Sequence, residues 1–184
     1  MNLPNAKNIQ PAGRRESWWR SNGALWALQI LWGFFFAGSG FGKVLLLDGD
    51  LYAAAPRAVA WYAAVPQSLI VFAGICEVLG GIGLTLPALT RVKPGLTPLA
   101  AAGLALTMLL ATAFHIIRGE YALTLVTIAL GGVAAFIAVG RSALRPIAPA
   151  PLTTSRATMS LVVLGVLAAA VFAPTWYSMT HANF

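Results

Sequence analysis

Five apolar runs, each about 20 residues long, follow one another along this chain and are separated by short polar segments. They cover about residues 24–47, 67–86, 97–117, 121–140 and 157–176. A helix needs about 17–25 such residues to cross the hydrocarbon core of a bilayer. Only 9% of the residues are charged, against about 25% in a soluble domain, so a water-facing surface cannot be covered. The sequence predicts an all-α polytopic membrane protein.

The positive charges fall in the gaps between these runs and predict the topology. With the N-terminus inside, nine of the twelve Lys and Arg residues flank the cytoplasmic ends, and only Lys43, Arg57 and Arg118 lie outside. This bias satisfies the positive-inside rule. We expect a bacterial inner-membrane protein with a cytoplasmic N-terminus and an external C-terminus. Because the net charge of +7 is spread over the gaps, the bilayer, and not a nucleic acid, is the expected partner.

The order of segments predicts a four-helix transmembrane bundle over residues 23–141 plus a fifth, C-terminal transmembrane helix over 157–176. Residues 1–22 are expected to form a basic cytoplasmic tail, 142–156 a cytoplasmic loop and 177–184 an external tail. Pro87 is the predicted stop of the second span. Residues 48–65 are too polar to cross, and Trp61 and Tyr62 favour a short interfacial helix over an ordinary loop. A cleavable signal peptide is disfavoured, because the apolar core of a signal peptide is about 7–15 residues long and the first apolar run of this chain is longer.

One carboxylate, Glu77, lies near the middle of the second apolar run. An ionisable residue at that depth costs about 2.5–3.5 kcal/mol on insertion scales and normally faces the bundle interior. Gly74, Gly80 and Gly81 share its helix face, and small residues mark a face that packs against another helix. Glu77 is therefore expected to point into the protein, about 15 Å from the outer surface, and to need a partner.

The candidate partners are Lys43, near the outer end of the first span, and His115, near the outer end of the third. Glu77 is expected to pair with Lys43, or with His115 directly or through water. Arg118 and Glu120 then close the mouth of a polar cavity. The alternatives are that Lys43 reaches the headgroups and that His115 only forms hydrogen bonds at the interface. For Arg118 and Glu120 the alternative is a solvated turn, and for Glu77 it is a purely structural contact.

Redox chemistry by the chain's own side chains is not predicted. Cys76 is the single cysteine, so an internal disulfide cannot form, and in an apolar run it reads as an inert packing residue. With two histidines and one cysteine, no transition-metal site is expected.

Three motifs, in this order, resemble the DoxX-like family of small membrane proteins. The first is Phe35-Phe-Ala-Gly-Ser-Gly-Phe-Gly-Lys43, and the second is Phe72-Ala-Gly-Ile-Cys-Glu-Val-Leu-Gly-Gly-Ile-Gly-Leu-Thr-Leu-Pro87. The third is Leu99-Ala-Ala-Ala-Gly-Leu-Ala-Leu106, followed by Ala113-Phe-His115 and Arg118-Gly-Glu120. The resemblance covers about residues 26–140 and implies a four-helix transmembrane bundle. It also implies a link to quinone-dependent thiosulfate oxidation or to oxidoreductase complexes of thiol and oxidative stress.

The resulting hypothesis is a membrane subunit of a quinone-linked or thiol- and sulfur-related oxidoreductase system. Glu77 and His115 are its candidate catalytic residues, and Lys43, Arg118 and Glu120 its candidate substrate-binding residues. No covalently bound cofactor is expected; a quinone or another lipophilic molecule is the candidate ligand, and partner proteins would bring the electrons. A proton-coupled transporter or lipid-handling protein and a non-catalytic scaffold are the alternatives, and whether the chain catalyses anything alone is left open.

Overall fold

The computed structural model describes residues 22–55 and 59–181, and these form only helices and connecting segments. The longer elements are α1 (Asn22–Val44), α2 (Gly49–Ala54), α3 (Gln67–Thr90), α4 (Leu96–Ile117), α5 (Tyr121–Val139) and α6 (Thr154–His181). Short 3-10 helices cover Leu45–Leu47 and Ala60–Ala64, and a π-helical turn covers Gly140–Leu144. The all-α prediction is confirmed for this part of the chain. The predicted basic tail, except for Asn22, lies outside the described residues.

Among the described residues, four helices are long and apolar enough to cross a membrane: Asn22–Leu47, Gln67–Thr90, Leu96–Ile117 and Tyr121–Leu144. The chain is therefore a multi-pass membrane protein. A fifth crossing is not confirmed. α6 begins at Thr154, three residues before the predicted start, and continues to His181, past the predicted end at 176. The division of residues 142–184 into a loop, a span and an external tail stays a prediction.

Two ends of the bundle can be distinguished by the residues that gather there. The start of α1, the end of α3, the start of α4 and the end of α5 lie at one end, which we call the arginine end after Arg91, Arg141 and Arg145. The opposite end holds the Lys43 end of α1, the start of α3 and the α4–α5 turn, and we call it the glutamate end after Glu77 and Glu120. The positive-inside rule predicts that the arginine end is cytoplasmic.

Glycines bring the backbones of α1 and α3 into direct contact. A Cβ added at Gly40 would lie 2.4 Å from the carbonyl oxygen of Gly74. One added at Gly81 would lie 2.4 Å from the carbonyl oxygen of Gly33. Because a side chain at these positions would keep the helices apart, the glycines are what let α1 and α3 pack at backbone distance. The predicted small-residue face around Glu77 is thus a helix-packing face.

The remaining helices add an apolar core and a polar contact. α3 also packs on α4, where Leu104 lies against Gly80. The hydroxyl of Thr112 on α4 donates to the hydroxyl of Thr127 on α5 at 2.8 Å, and both residues are buried. The core side chains come from α1, α3, α4 and α5: Phe36, Leu84, Ala101, Leu104, Met108, Ala134 and Ile137. The ring of Phe172 on α6 packs on Phe41 with centroids 4.7 Å apart.

One local prediction, the end of the second span, needs correction. Pro87 does not end the second span, because α3 continues to Thr90 and ends at Arg91 in a left-handed conformation with φ 62°. Proline removes one backbone donor, and prolines inside membrane-spanning helices are tolerated because neighbouring helices and side chains satisfy the freed backbone groups.

The segment 48–65 holds two short helices, α2 and the 3-10 helix Ala60–Ala64. The second carries Trp61 and Tyr62, as the predicted short helix does, and its position at the membrane interface stays a prediction. α2 begins where the Asp48 carboxylate accepts hydrogen bonds from the N–H groups of Asp50 and Leu51.

Replacing Gly81 with Ala tests the α1–α3 contact. The added methyl would overlap the backbone of Gly33, so we expect the free energy of unfolding to fall by about 1–3 kcal/mol, as in an overpacked core. The measurement is reversible unfolding of the detergent-solubilised protein. Gly132→Ala is the matched control, because Gly132 lies in a helix with nothing within 4 Å of its Cβ position. Equal stability of the two variants would contradict the contact.

Candidate functional site

A buried ion pair joins α1 and α3 near the glutamate end. The Lys43 ammonium donates to the Glu77 carboxylate at 2.7 Å and to the Ser39 hydroxyl at 2.7 Å. Glu77 is 4% exposed, and the Lys43 side chain is 12% exposed. Burial removes most of the hydration of both charges, so each charge is stabilised mainly by its partner.

The pair exists because glycines flank it on both helices. A Cβ at Gly74 would lie 2.7 Å from the Cβ of Lys43, and one at Gly40 would lie 2.8 Å from the Cβ of Glu77. Larger residues at either position would separate the helices and lengthen the Lys43–Glu77 distance. The glycine contact and the ion pair are therefore one structural feature.

The 3-10 helix Ala60–Ala64 borders this pair with aromatic side chains. Tyr62 is 8% exposed, and burial, with a smaller effect of the Glu77 carboxylate, raises the pKa of its hydroxyl to about 12. Tyr62 therefore stays protonated throughout the physiological range. The Trp61 ring packs on the Tyr62 ring with centroids 4.4 Å apart and on the His115 ring at 5.7 Å.

A second polar cluster lies at the α4–α5 turn. His115 Nδ1 is 2.6 Å from one oxygen of Glu120, and Arg118 Nε donates to the other at 2.8 Å. Gly119 has φ 70°, a conformation that glycine adopts without strain, and it returns the chain so that Glu120 faces back onto α4. The hydrogen bond with His115, followed by the bond and charge of Arg118, lowers the pKa of Glu120.

The structure thus brings the five predicted residues together in two clusters. Lys43 pairs with Glu77 as expected, and His115 is held with Arg118 and Glu120. In the part of the chain that the structure describes, no direct hydrogen bond joins Glu77 to His115. The segment Ala60–Ala64 is near both groups, because the Trp61 ring contacts His115 and the Glu77 carboxylate contributes to the raised pKa of the Tyr62 hydroxyl. A polar cavity beside Glu77 is not confirmed, and the roles of these five residues stay predictions.

Sequence reasoning missed a third polar cluster, at the arginine end. Arg141 is 3% exposed, and its Nε donates to Gln29 Oε1 at 2.7 Å. Gln29 in turn donates to the carbonyl oxygen of Leu84 at 2.6 Å, across the α1–α3 contact. Arg141 reads in the sequence as an ordinary flanking charge. The one available signal is Gln29, an amide within an apolar run.

Comparison with known proteins decides the family. The sequence model of the DoxX-like family matches residues 27–139, which is more than half of the chain. The chain belongs to the DoxX-like family. We found no match among curated proteins and no match among solved structures.

The family match covers both polar clusters at the glutamate end of this DoxX-like protein. Lys43, Glu77, His115 and the turn to Glu120 all lie inside the matched range. Arg141 and α6 lie beyond it. Within residues 22–55 and 59–181, no three His, Cys, Asp or Glu side chains are grouped as a metal site would need.

Removing one partner of the Lys43–Glu77 pair is expected to destabilise this DoxX-like protein more than removing both. Lys43→Met leaves a buried carboxylate without its counter-charge, which costs about 3–5 kcal/mol, whereas an apolar pair of similar volume is nearly neutral. We therefore expect Lys43→Met/Glu77→Leu to recover most of the stability lost in Lys43→Met, measured by unfolding in the same detergent. Additive losses in the double variant would show that the two residues do not interact.

Acidification tests the cluster at the α4–α5 turn. The folded-state pKa of Glu120 is lowered from its ordinary value of 4.5, so its contribution to stability is present above that pH and is lost as the pH falls through the lowered value. We expect Glu120→Gln to flatten the fall in melting temperature below about pH 4.5. Asp50→Asn, at an exposed position, should keep the wild-type profile. An unchanged profile in Glu120→Gln would contradict the assignment.

Proposed function

We propose that this DoxX-like protein is a membrane subunit of an oxidoreductase system and that a quinone is its lipophilic substrate. The observation that carries the proposal is the buried Lys43–Glu77 pair, an acid and a base held side by side in a membrane-spanning helix pair. Charged groups at such positions are costly and mark proton or substrate pathways. The family adds the link to quinone-dependent oxidoreductases as an implication of resemblance.

The residues around the pair fit the chemistry of a quinone. A quinone offers two carbonyl oxygens that accept hydrogen bonds and a flat ring that packs on aromatic side chains. The Lys43 ammonium and the protonated Tyr62 hydroxyl are donors near Glu77, and His115 is a further group with a titratable ring. Trp61 and Phe114 supply aromatic faces, with ring centroids 5.9 Å apart.

When bound, a quinone would supply the electron-accepting chemistry, and the chain's own residues would handle protons. Glu77 holds or releases a proton according to whether Lys43 stays bonded to it. His115 and Glu120 form an acid–base pair nearer the helix ends, where the Arg118 side chain is 34% exposed. The His115 ring contacts a carboxylate beside a partly exposed guanidinium, so this cluster suits proton exchange with the aqueous phase.

In this proposal, partner proteins supply the electrons. A single cysteine cannot form an intrachain dithiol, so a thiol- or sulfur-linked reaction needs a second protein. We place the complex in a bacterial inner membrane with the arginine end in the cytoplasm, as the positive-inside rule predicts. The substrate would then be handled in the outer half of the bilayer.

The test is the quinone content and affinity of the purified protein. Protein extracted from quinone-containing membranes should retain a quinone, and a short-chain quinone analogue should bind in titrations followed by tryptophan fluorescence. We expect Glu77→Gln and Lys43→Met to weaken binding at least tenfold, because each removes one charge of the buried pair. A tenfold change corresponds to about 1.4 kcal/mol of binding free energy. Asp50→Asn, the matched carboxyl-to-amide control, should bind like the wild type. No retained quinone, or equal affinity in Glu77→Gln, would reject the proposal.

Proton-coupled transport is the second candidate, and the same buried pair favours it. An acid–base pair between two helices can couple the protonation of Glu77 to separation of the helices. In that case uptake into proteoliposomes would depend on pH in the wild type and would lose that dependence in Glu77→Gln. If the pair affects neither quinone binding nor uptake, the scaffold alternative is the one that remains.

A further inference from the structure

We propose that the arginine end of the bundle carries a binding site for a phosphate group. A pocket of about 230 Å³ opens there, far more than a single water molecule needs. Its walls are Asn22 and Trp26 of α1, Arg91 after α3, and residues of the segment 141–148. The proposal is independent of the function assigned to the Lys43–Glu77 pair.

Arg141 is built into the wall of this pocket but is not fully bonded. Its Nε is bonded to Gln29, and its Nη1 donates to Asn22 Oδ1 at 2.9 Å and to the carbonyl oxygen of Arg145 at 3.3 Å. Nη2 is buried and, among the described residues, has no hydrogen-bond partner. Leaving a buried donor of a charged group unbonded is costly, so the group is suited to a ligand that accepts hydrogen bonds.

The partners that Arg141 does have are neutral. They are amide and carbonyl oxygens and the Trp26 ring, whose centroid lies 4.9 Å from the guanidinium carbon. Within residues 22–55 and 59–181, no carboxylate forms an ion pair with it. A buried charge needs a counter-charge, and the described acids all belong to the other half of the bundle: Asp48, Asp50, Glu77 and Glu120.

Two further arginines line the same pocket. Arg91 is exposed after α3, and Arg145 is exposed after the π-helical turn. A backbone hydrogen bond from the Ala150 N–H to the Arg91 carbonyl oxygen, at 3.2 Å, ties the two walls together. Three guanidinium groups in one pocket match a phosphate, because their paired N–H donors fit its oxygens.

The position of the pocket favours the phosphate of an anionic phospholipid. It lies where four spans end, and Trp26 beside it is typical of side chains at headgroup level. Basic pockets between spans on the cytoplasmic side bind anionic headgroups. A free phosphate or a soluble phosphate ester offers the same chemistry, and Glu16, which lies outside the described residues, is the chain's own alternative anion.

The experiment is a pair of titrations of the delipidated full-length protein in neutral detergent. One uses dioctanoyl phosphatidylglycerol, with bound lipid counted by native mass spectrometry, and the other uses inorganic phosphate, followed by melting temperature. We expect one tightly bound lipid per chain. Arg91→Gln should weaken it at least tenfold, and Lys93→Gln should not. Lys93 is the matched control, because it is an exposed cation of the same loop with a positive φ of 46° and does not line the pocket.

Each outcome of these titrations either supports or overturns the phosphate site. Protection by phosphate but not by the lipid, lost in Arg91→Gln, assigns the same site to a soluble phosphate compound. If Arg91→Gln and Lys93→Gln weaken the affinity for the lipid equally, the attraction is an unspecific effect of charge, and the proposed site is overturned. Binding that appears only in Glu16→Gln shows that the chain's own carboxylate occupies the pocket and overturns it too. Arg91 is exposed, so its variant tests the proposal even if Arg141→Gln fails to fold.

Discussion

The contact between the backbones of α1 and α3 is the constraint on which the rest of this structure depends. Without side chains at Gly33, Gly40, Gly74 and Gly81, the two helices meet at backbone distance. In a bilayer this packing replaces the hydrophobic effect as the force that joins helices. It also shortens the gap that the ion pair must bridge, so the 2.7 Å bond of Lys43 to the carboxylate is a consequence of glycine placement.

The two polar ends of the bundle depend on this contact in different ways. At the glutamate end it buries a pair of opposite charges, which satisfy one another. At the arginine end the Gln29 amide bridges from α3 to Arg141, but the guanidinium meets only neutral acceptors among the described residues. The first arrangement suits proton exchange within the protein, and the second suits capture of an anion from outside it.

Much of this architecture follows from the sequence. Apolar runs of bilayer length predict five crossings whatever the packing, because no water-facing surface is available, and the structure supports four of them among the described residues. The depth of Glu77 and the glycines on its face predict a buried carboxylate with a partner on a neighbouring helix. Lys43 and His115 follow as the two candidate partners, because a carboxylate in hydrocarbon needs a partner and few basic groups lie at that depth. The structure selects Lys43.

The rest depends on tertiary geometry that residue patterns do not carry. His115 and Glu120 are five residues apart, yet their bond depends on the left-handed turn at Gly119. Arg141 has the same sequence surroundings as a solvated topology charge, and only the packing of α1 on α5 buries it. A helix over Thr154–His181 also does not decide whether that segment crosses the membrane.

The most direct test of the account is the distance between the Lys43 ammonium nitrogen and the Glu77 carboxyl carbon in a lipid bilayer. Solid-state NMR of protein labelled at lysine nitrogen and glutamate carboxyl carbon measures it through their dipolar coupling. The account predicts a strong coupling, as the 2.7 Å nitrogen–oxygen contact requires, that disappears in Lys43→Met. No coupling, or a coupling that survives this substitution, would contradict it.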